Sequence, residues 1–92
     1  MKTQTNLFTL GQTFITIGAR DNLHPEDIIR SLMRHARGDW GECSPEDKAA
    51  NQEALESGAR IMSVYHDRHS VRFWVITEAD RSSTTVLLPS EY

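Results

Sequence analysis

At residue 60 the apolar pattern of this 92-residue chain changes period, and that change limits what the chain can fold into. Upstream, apolar residues recur at spacings of three and four; downstream they alternate. "RIMSVY" and "VRFWVIT" are joined by "HDRHS" and followed, after "EADRSS", by "TTVLLP". This predicts three strands in an antiparallel meander, ended by Pro89. Phe73, Val75 and Ile61 alternate with Arg72 and Ser63, which predicts one sheet face on the helices and one partly exposed. With two helices upstream the fold class is α+β: two helices packed on a small antiparallel sheet. "TFITI", Thr13 to Ile17, is β-branched and aromatic and offers a fourth, N-terminal strand ended by Gly18.

Both helices carry their own boundaries. In "HPEDIIRSLMRHA", Pro25 suits the first helical position, Glu26 and Asp27 complement the dipole of the first turn, and Gly38 is the stop. Ile28, Ile29, Leu32, Met33 and Ala36 form its apolar side, with Arg30, Arg34 and Arg37 as a stripe opposite. In "SPEDKAANQEALESG", Ser44 caps, Pro45 opens, Asp47 stands three residues after the cap and Gly58 ends the helix. Ala50, Ala54 and Leu55 make a thin apolar face, and Glu46, Glu53 and Glu56 an acidic stripe.

Ninety-two residues allow one domain with a single core, and 38% hydrophobic with 25% charged residues lie in the globular range. One domain spanning residues 1–92 is expected, with about the first ten residues partly disordered. The lone Cys43 cannot form an internal disulfide, and "MKTQTNLFTLGQTF" lacks the apolar run of a signal peptide, so cytoplasmic residence is expected. No segment approaches the roughly 20 apolar residues of a membrane span. The net charge of −3 is unevenly spread: residues 1–37 carry five basic and three acidic groups, residues 38–58 one and six, and residues 59–92 four and four. An acidic middle argues against a general nucleic-acid binder.

Chemistry concentrates around "HARGDWGECSPED", residues 35–47, between the helices. His35, Asp39, Glu42, Glu78, Asp80 and Arg81 would compose an acid–base site if this junction met the loop from Thr77 to Ser83. The alternative, which a domain this small favours, is a structural lock. There Asp39 caps a turn, Trp40 fills the space between helices and sheet, and Arg81 pairs with a carboxylate. Acidic neighbours would raise the Cys43 thiol, which disfavours a catalytic cysteine. His66 and His69 lie three apart, but His35 and Cys43 sit in another element without ligand spacing, so no metal or other cofactor is assigned. His66 and His69 suit a solvated hairpin turn instead. Neither a Gly-x-Ser-x-Gly elbow nor a Gly-rich phosphate loop occurs.

"HARGDWGECSPEDKAANQEALESGARIMSVY", followed by "FWVITEADRSSTTVLLPSEY", resembles a family of small proteobacterial proteins carried on plasmids and other mobile elements. Its members are labelled "plasmid-related protein" or "type I restriction endonuclease subunit M". The resemblance covers about residues 35–92 and rests on Gly38-Asp39-Trp40-Gly41, on Asp47 with Asn51 and Ala54, and on Thr77-Glu78-Ala79-Asp80-Arg81 leading to "LLPSEY". A methyltransferase would need an adenosylmethionine pocket on a large sheet and an Asn-Pro-Pro-Tyr type motif, which this chain lacks. The resemblance implies cargo of mobile DNA, where short acidic proteins block host restriction or CRISPR machinery.

The expected function is thus a non-enzymatic interaction protein, its partner-binding face formed by Glu42, Glu46, Glu53 and Glu56 against a basic channel of a host protein complex. A nucleic-acid accessory using Arg30, Arg34 and Arg37 is the alternative, and a small enzyme at the junction the third reading. A homodimer would cover an edge of the meander.

Overall fold

The computed structural model describes residues 5–92. The elements run β1 (Gln12–Ile15), α1 (Ile17–Asn22), α2 (Pro25–Ala36), α3 (Pro45–Ser57), β2 (Ile61–His66), β3 (Arg72–Thr77), β4 (Ser83–Leu87) and a closing 3-10 turn, Pro89–Glu91. The fold is α+β. The sheet order is β1-β4-β3-β2, with the meander β2-β3-β4 antiparallel and β1 parallel to β4. The sheet is therefore mixed, because the N-terminal strand pairs with the last strand of the chain.

Helix boundaries follow the capping chemistry. His24 caps α2 through Nδ1, which accepts the Glu26 N–H, and Pro25 occupies its first turn. Ser44 Oγ accepts the Asp47 N–H at 3.1 Å to open α3, and Gly58, at φ 79°, closes it. The strand expected over Thr13–Ile17 stops at Ile15, because Thr16 turns its side chain to the Ala19 N–H and caps α1. The Glu91 carboxylate holds that turn from outside: it accepts the Thr16 hydroxyl at 2.6 Å and the Gly18 N–H at 3.0 Å.

Ile61, Ser63 and Tyr65 stand opposite Thr77, Val75 and Phe73, and Val75 and Thr77 stand opposite Val86 and Thr84. All eight are buried and form the inner sheet face. Ser63 thus shares a side with Ile61 and Tyr65, two residues apart on either side, rather than alternating with Ile61 as expected. Ala19, Leu23 and Ile28 pack on Tyr65, Phe73, Val75 and Val86, with Leu32, Val71 and Leu88 at the margin. A second cluster joins Trp40, Cys43, Ala54, Ile61 and Val64, flanked by Phe8, Leu55, Met62 and Trp74.

The apolar side expected for α2 is corrected. Ile28 and Ala36 are buried together with Ser31 and His35, while Ile29 is 61% and Met33 46% exposed. The helix is turned toward its polar partners in the sheet, so two of its large apolar side chains face outward. In α3, Ala50 is exposed, and Asn51 with Ala54 faces inward. The chain before β1 is held as well. The Leu7 N–H donates to the Ala36 carbonyl at 2.8 Å, and Phe8 packs edge-on to His35 and stacks with Trp40. Within the stretch expected to be partly disordered, Leu7 and Phe8 make these contacts; residues 1–4 lie outside the described residues. Among the described residues no helix is long and apolar enough to cross a membrane.

Candidate functional site

The junction is built around His35, which is fully buried. Its Nδ1 lies 2.5 Å from Ser63 Oγ and its Nε2 2.9 Å from Thr77 Oγ1. Thr77 Oγ1 meets Thr84 Oγ1 at 2.7 Å, and Thr84 donates to the Leu10 carbonyl at 2.6 Å. That last acceptor fixes the protons from Thr84 back to His35 Nε2. A carbonyl only accepts, so Thr84 donates to it; Thr77 then donates to Thr84, and His35 donates from Nε2 to Thr77. His35 Nδ1 accepts from Ser63, and the imidazole is neutral. Burial, with no carboxylate bonded to the ring, pushes its pKa down to about 4. Serine beside histidine is here a core bond, out of reach of any substrate.

Asp39, Trp40 and Gly41 close the β2 edge. The Val64 N–H donates to the Trp40 carbonyl and the Glu42 N–H to the Val64 carbonyl, so Gly41 bridges β2 like one residue of a parallel strand. Gly41 sits at φ 69°, and a Cβ there would run into the Val64 carbonyl oxygen. One turn along, the Asn51 side chain completes the seal: its amide donates to the Met62 carbonyl at 2.7 Å and its oxygen accepts the Met62 N–H at 3.2 Å. Trp40 is 5% exposed, between Phe8, His35 and the start of the second cluster, with Nε1 donating to Gln52.

Asp39 accepts the Gly41 N–H and takes Arg34 in a two-point bond of 2.7 and 3.2 Å; the guanidinium holds its carboxyl below the usual range. Arg34 also lies 4.7 Å over the Tyr65 ring, whose hydroxyl donates to the Asp39 carbonyl. Cys43 is buried and donates weakly to the Met62 carbonyl. Burial first, and Asp47 after it, raise its thiol pKa, so the expected direction stands with a different leading cause.

The loop from Thr77 to Ser83 reaches this region through Arg81, with a correction to its partner. Arg81 binds carbonyls and no carboxylate: Ala54 at 2.9 Å, Ala59 at 2.7 Å, and Glu78 and Ala79 in its own turn. It therefore holds the C-terminus of α3, where free carbonyls carry partial negative charge. Asp80 accepts the Ser82 N–H, and Glu78 is exposed. No side-chain bond among the described residues joins His35, Asp39, Glu78 and Asp80. The acid–base constellation is dispersed over a sealed core, a helix cap and two turns.

Charge is left on two helix faces. On α3, Glu46, Glu53 and Glu56 are exposed and form no ion pair among the described residues, whereas Glu42 pairs with His66. On α2, Arg34 is engaged as above, Arg30 stands 3.7 Å from Asp27, and Arg37 is exposed without an ion pair among the described residues. Arg68, at the β2–β3 turn, takes Asp27 through two carboxylate oxygens at 3.0 and 3.1 Å and reaches Glu26 at 3.0 Å. That pairing lowers the Asp27 pKa and ties the hairpin to α2.

The sequence reading did not single out Asp67. It is buried, and its carboxylate accepts the N–H groups of His24, His69 and Val71, ordering the hairpin turn under His66 and His69. An Asp opening a four-residue turn was the available signal. In comparisons with known proteins, no family model, curated protein or solved structure matches the chain.

Proposed function

We propose that this domain is a non-enzymatic protein-interaction module whose α3 face docks on a basic surface of a host protein complex. The observation that carries the reading is the division of α3. Asn51, Ala54 and Leu55 fasten one side to the β2 edge, while Glu46, Glu53 and Glu56 stand exposed on the other, without an ion pair among the described residues. Residues able to do chemistry are engaged in structure: His35 in the core chain, Asp39 with Arg34, and Arg81 on carbonyls.

A basic nucleic-acid channel in a restriction or CRISPR complex has the complementary charge, and the mobile-element resemblance points to that class of partner. Such complexes are cytoplasmic, and the proposal places the protein with them. Glu53→Lys with Glu56→Lys should abolish capture of the partner while the far-ultraviolet spectrum stays that of the wild type. Undiminished capture by the folded variant would reject the α3 face.

A second reading uses the arginines of α2 on phosphates. It is favoured by Arg30 and Arg37 standing exposed on one face, and weakened by the commitment of Arg34 to Asp39 and Tyr65. It requires a mobility shift of DNA or RNA at low salt that fades steeply as salt rises.

A further inference from the structure

The two edges of the sheet are treated in opposite ways. At β2 the outward N–H and C=O groups of Met62 and Val64 are all taken, by Asn51, Trp40 and Glu42. At β1 they have no partner among the described residues. The sheet order gives β1 one neighbour, β4, to which the N–H groups of Gln12 and Thr16 donate. Alternation along the strand then aims the N–H and C=O of Thr13 and Ile15 at solvent.

The edge is short, but it carries neither the charges nor the prolines that usually block one. All four residues of β1 are exposed, and the stretch from Thr9 to Ala19 has no charged side chain and no proline. Phe14, Ile15 and, just beyond, Ile17 are 47%, 43% and 69% exposed. The end of the strand is held from behind, since Glu91 is occupied by Thr16, Gly18 and the Leu88 N–H.

We propose that β1 pairs antiparallel with β1 of a second copy of this chain, about a two-fold axis through Phe14. The register follows from the open groups. Thr13 of each copy meets Ile15 of the other and exchanges both backbone hydrogen bonds, giving four in all, while Phe14 faces Phe14 in the close, non-hydrogen-bonded position. Self-pairing is specific to this edge because a two-fold contact sets like against like. The acidic face of α3 and the arginine face of α2 would each repel themselves, and the uncharged edge does not.

The two four-stranded sheets become one of eight strands. Each α3 lies against β2, at the far edge, so the dimer presents two acidic faces outward. Self-association stands apart from the α3 reading and can fail or succeed without it. A four-residue contact is small, so the dimer is weak and concentration-dependent.

Sedimentation equilibrium from about 10 μM to about 1 mM, the range in which a small interface assembles, tests this directly. The expected mass rises from 10.5 kDa toward twice that. Phe14→Lys, which sets two ammonium groups across the axis, should hold it at the monomer value. A second arm serves if that variant does not fold: under mild oxidation Phe14→Cys should form a covalent dimer at least tenfold faster than Thr13→Cys, whose register partner is Ile15. A mass fixed at 10.5 kDa throughout, doubling that Phe14→Lys leaves intact, or equal cross-linking of the two cysteine variants would each overturn the proposal.

Discussion

His35 holds a single proton, on Nε2, and the rest of its chain depends on that assignment. The unfolded chain takes up a second proton near pH 6.5, the folded one only near 4. Protonation therefore favours unfolding. The His35 share of the stability should be full well above pH 6.5 and fall as the pH drops toward 4, by about 3 kcal/mol, with carboxylates held below their usual range, such as Asp39, adding to the loss below about pH 5. Urea unfolding at steps between pH 7.5 and 4 measures this, and His35→Phe should flatten the slope; a wild-type profile level across that window would contradict the buried neutral imidazole. Ser63→Ala removes the donor to Nδ1 and should lower the unfolding free energy by about 1–3 kcal/mol. In the sequence His35 reads as a charged residue at a helix end, and Ser63, Thr77 and Thr84 as ordinary strand formers. The four become a network only when His35 is brought to Ser63 and Thr77, 28 and 42 positions downstream. Nothing local announces that a histidine points inward.

At the scale of elements, the β2 edge is the feature most open to mutation. Asn51→Ala should leave the Met62 N–H without a partner and its carbonyl with only the weak Cys43 thiol bond, and lower stability by about 1–3 kcal/mol, with faster hydrogen exchange at the Met62 N–H. Asn51→Asp keeps the acceptor but sets a carboxylate against the Met62 carbonyl, so it should not rescue. Gly41→Ala combines positive φ with the approach to Val64 and should lower the unfolding free energy by at least about 2 kcal/mol, measured the same way. Caps and strands were legible because their signals are local: Ser44, Pro45 and Gly58 bound α3, and alternation marks β2 to β4. The parallel partner of β1 lies about 70 residues downstream, α1 depends on Glu91 from the other end of the chain, and the rotation of α2 on its polar contacts. Apolar spacing placed Ile29 and Met33 inside because it cannot weigh a satisfied histidine against an isoleucine. At residues 35–47 the turn at Asp39 and the filling role of Trp40 are legible in the sequence, while the Gly41 bridge to β2 and the carbonyl role of Arg81 are not, since backbone partners carry no sequence signature.

Across the whole molecule, the structural ion pairs tie the hairpin and the junction to α2, and the acidic charge of α3 is left for solvent. The Glu53→Lys and Glu56→Lys pair should therefore leave the unfolding free energy within about 0.5 kcal/mol of the wild type in urea titration, as exposed surface positions do. The proposed function is that this surface meets a protein. Capture on the tagged domain from a bacterial lysate containing restriction and CRISPR complexes, with and without nuclease and read by mass spectrometry, tests that claim most directly. A protein partner retained after nuclease, and absent from the charge-reversed variant, is the expected result. Recovery of nucleic acid, or of proteins that all disappear on nuclease treatment, would contradict it and move the function to the arginines of α2.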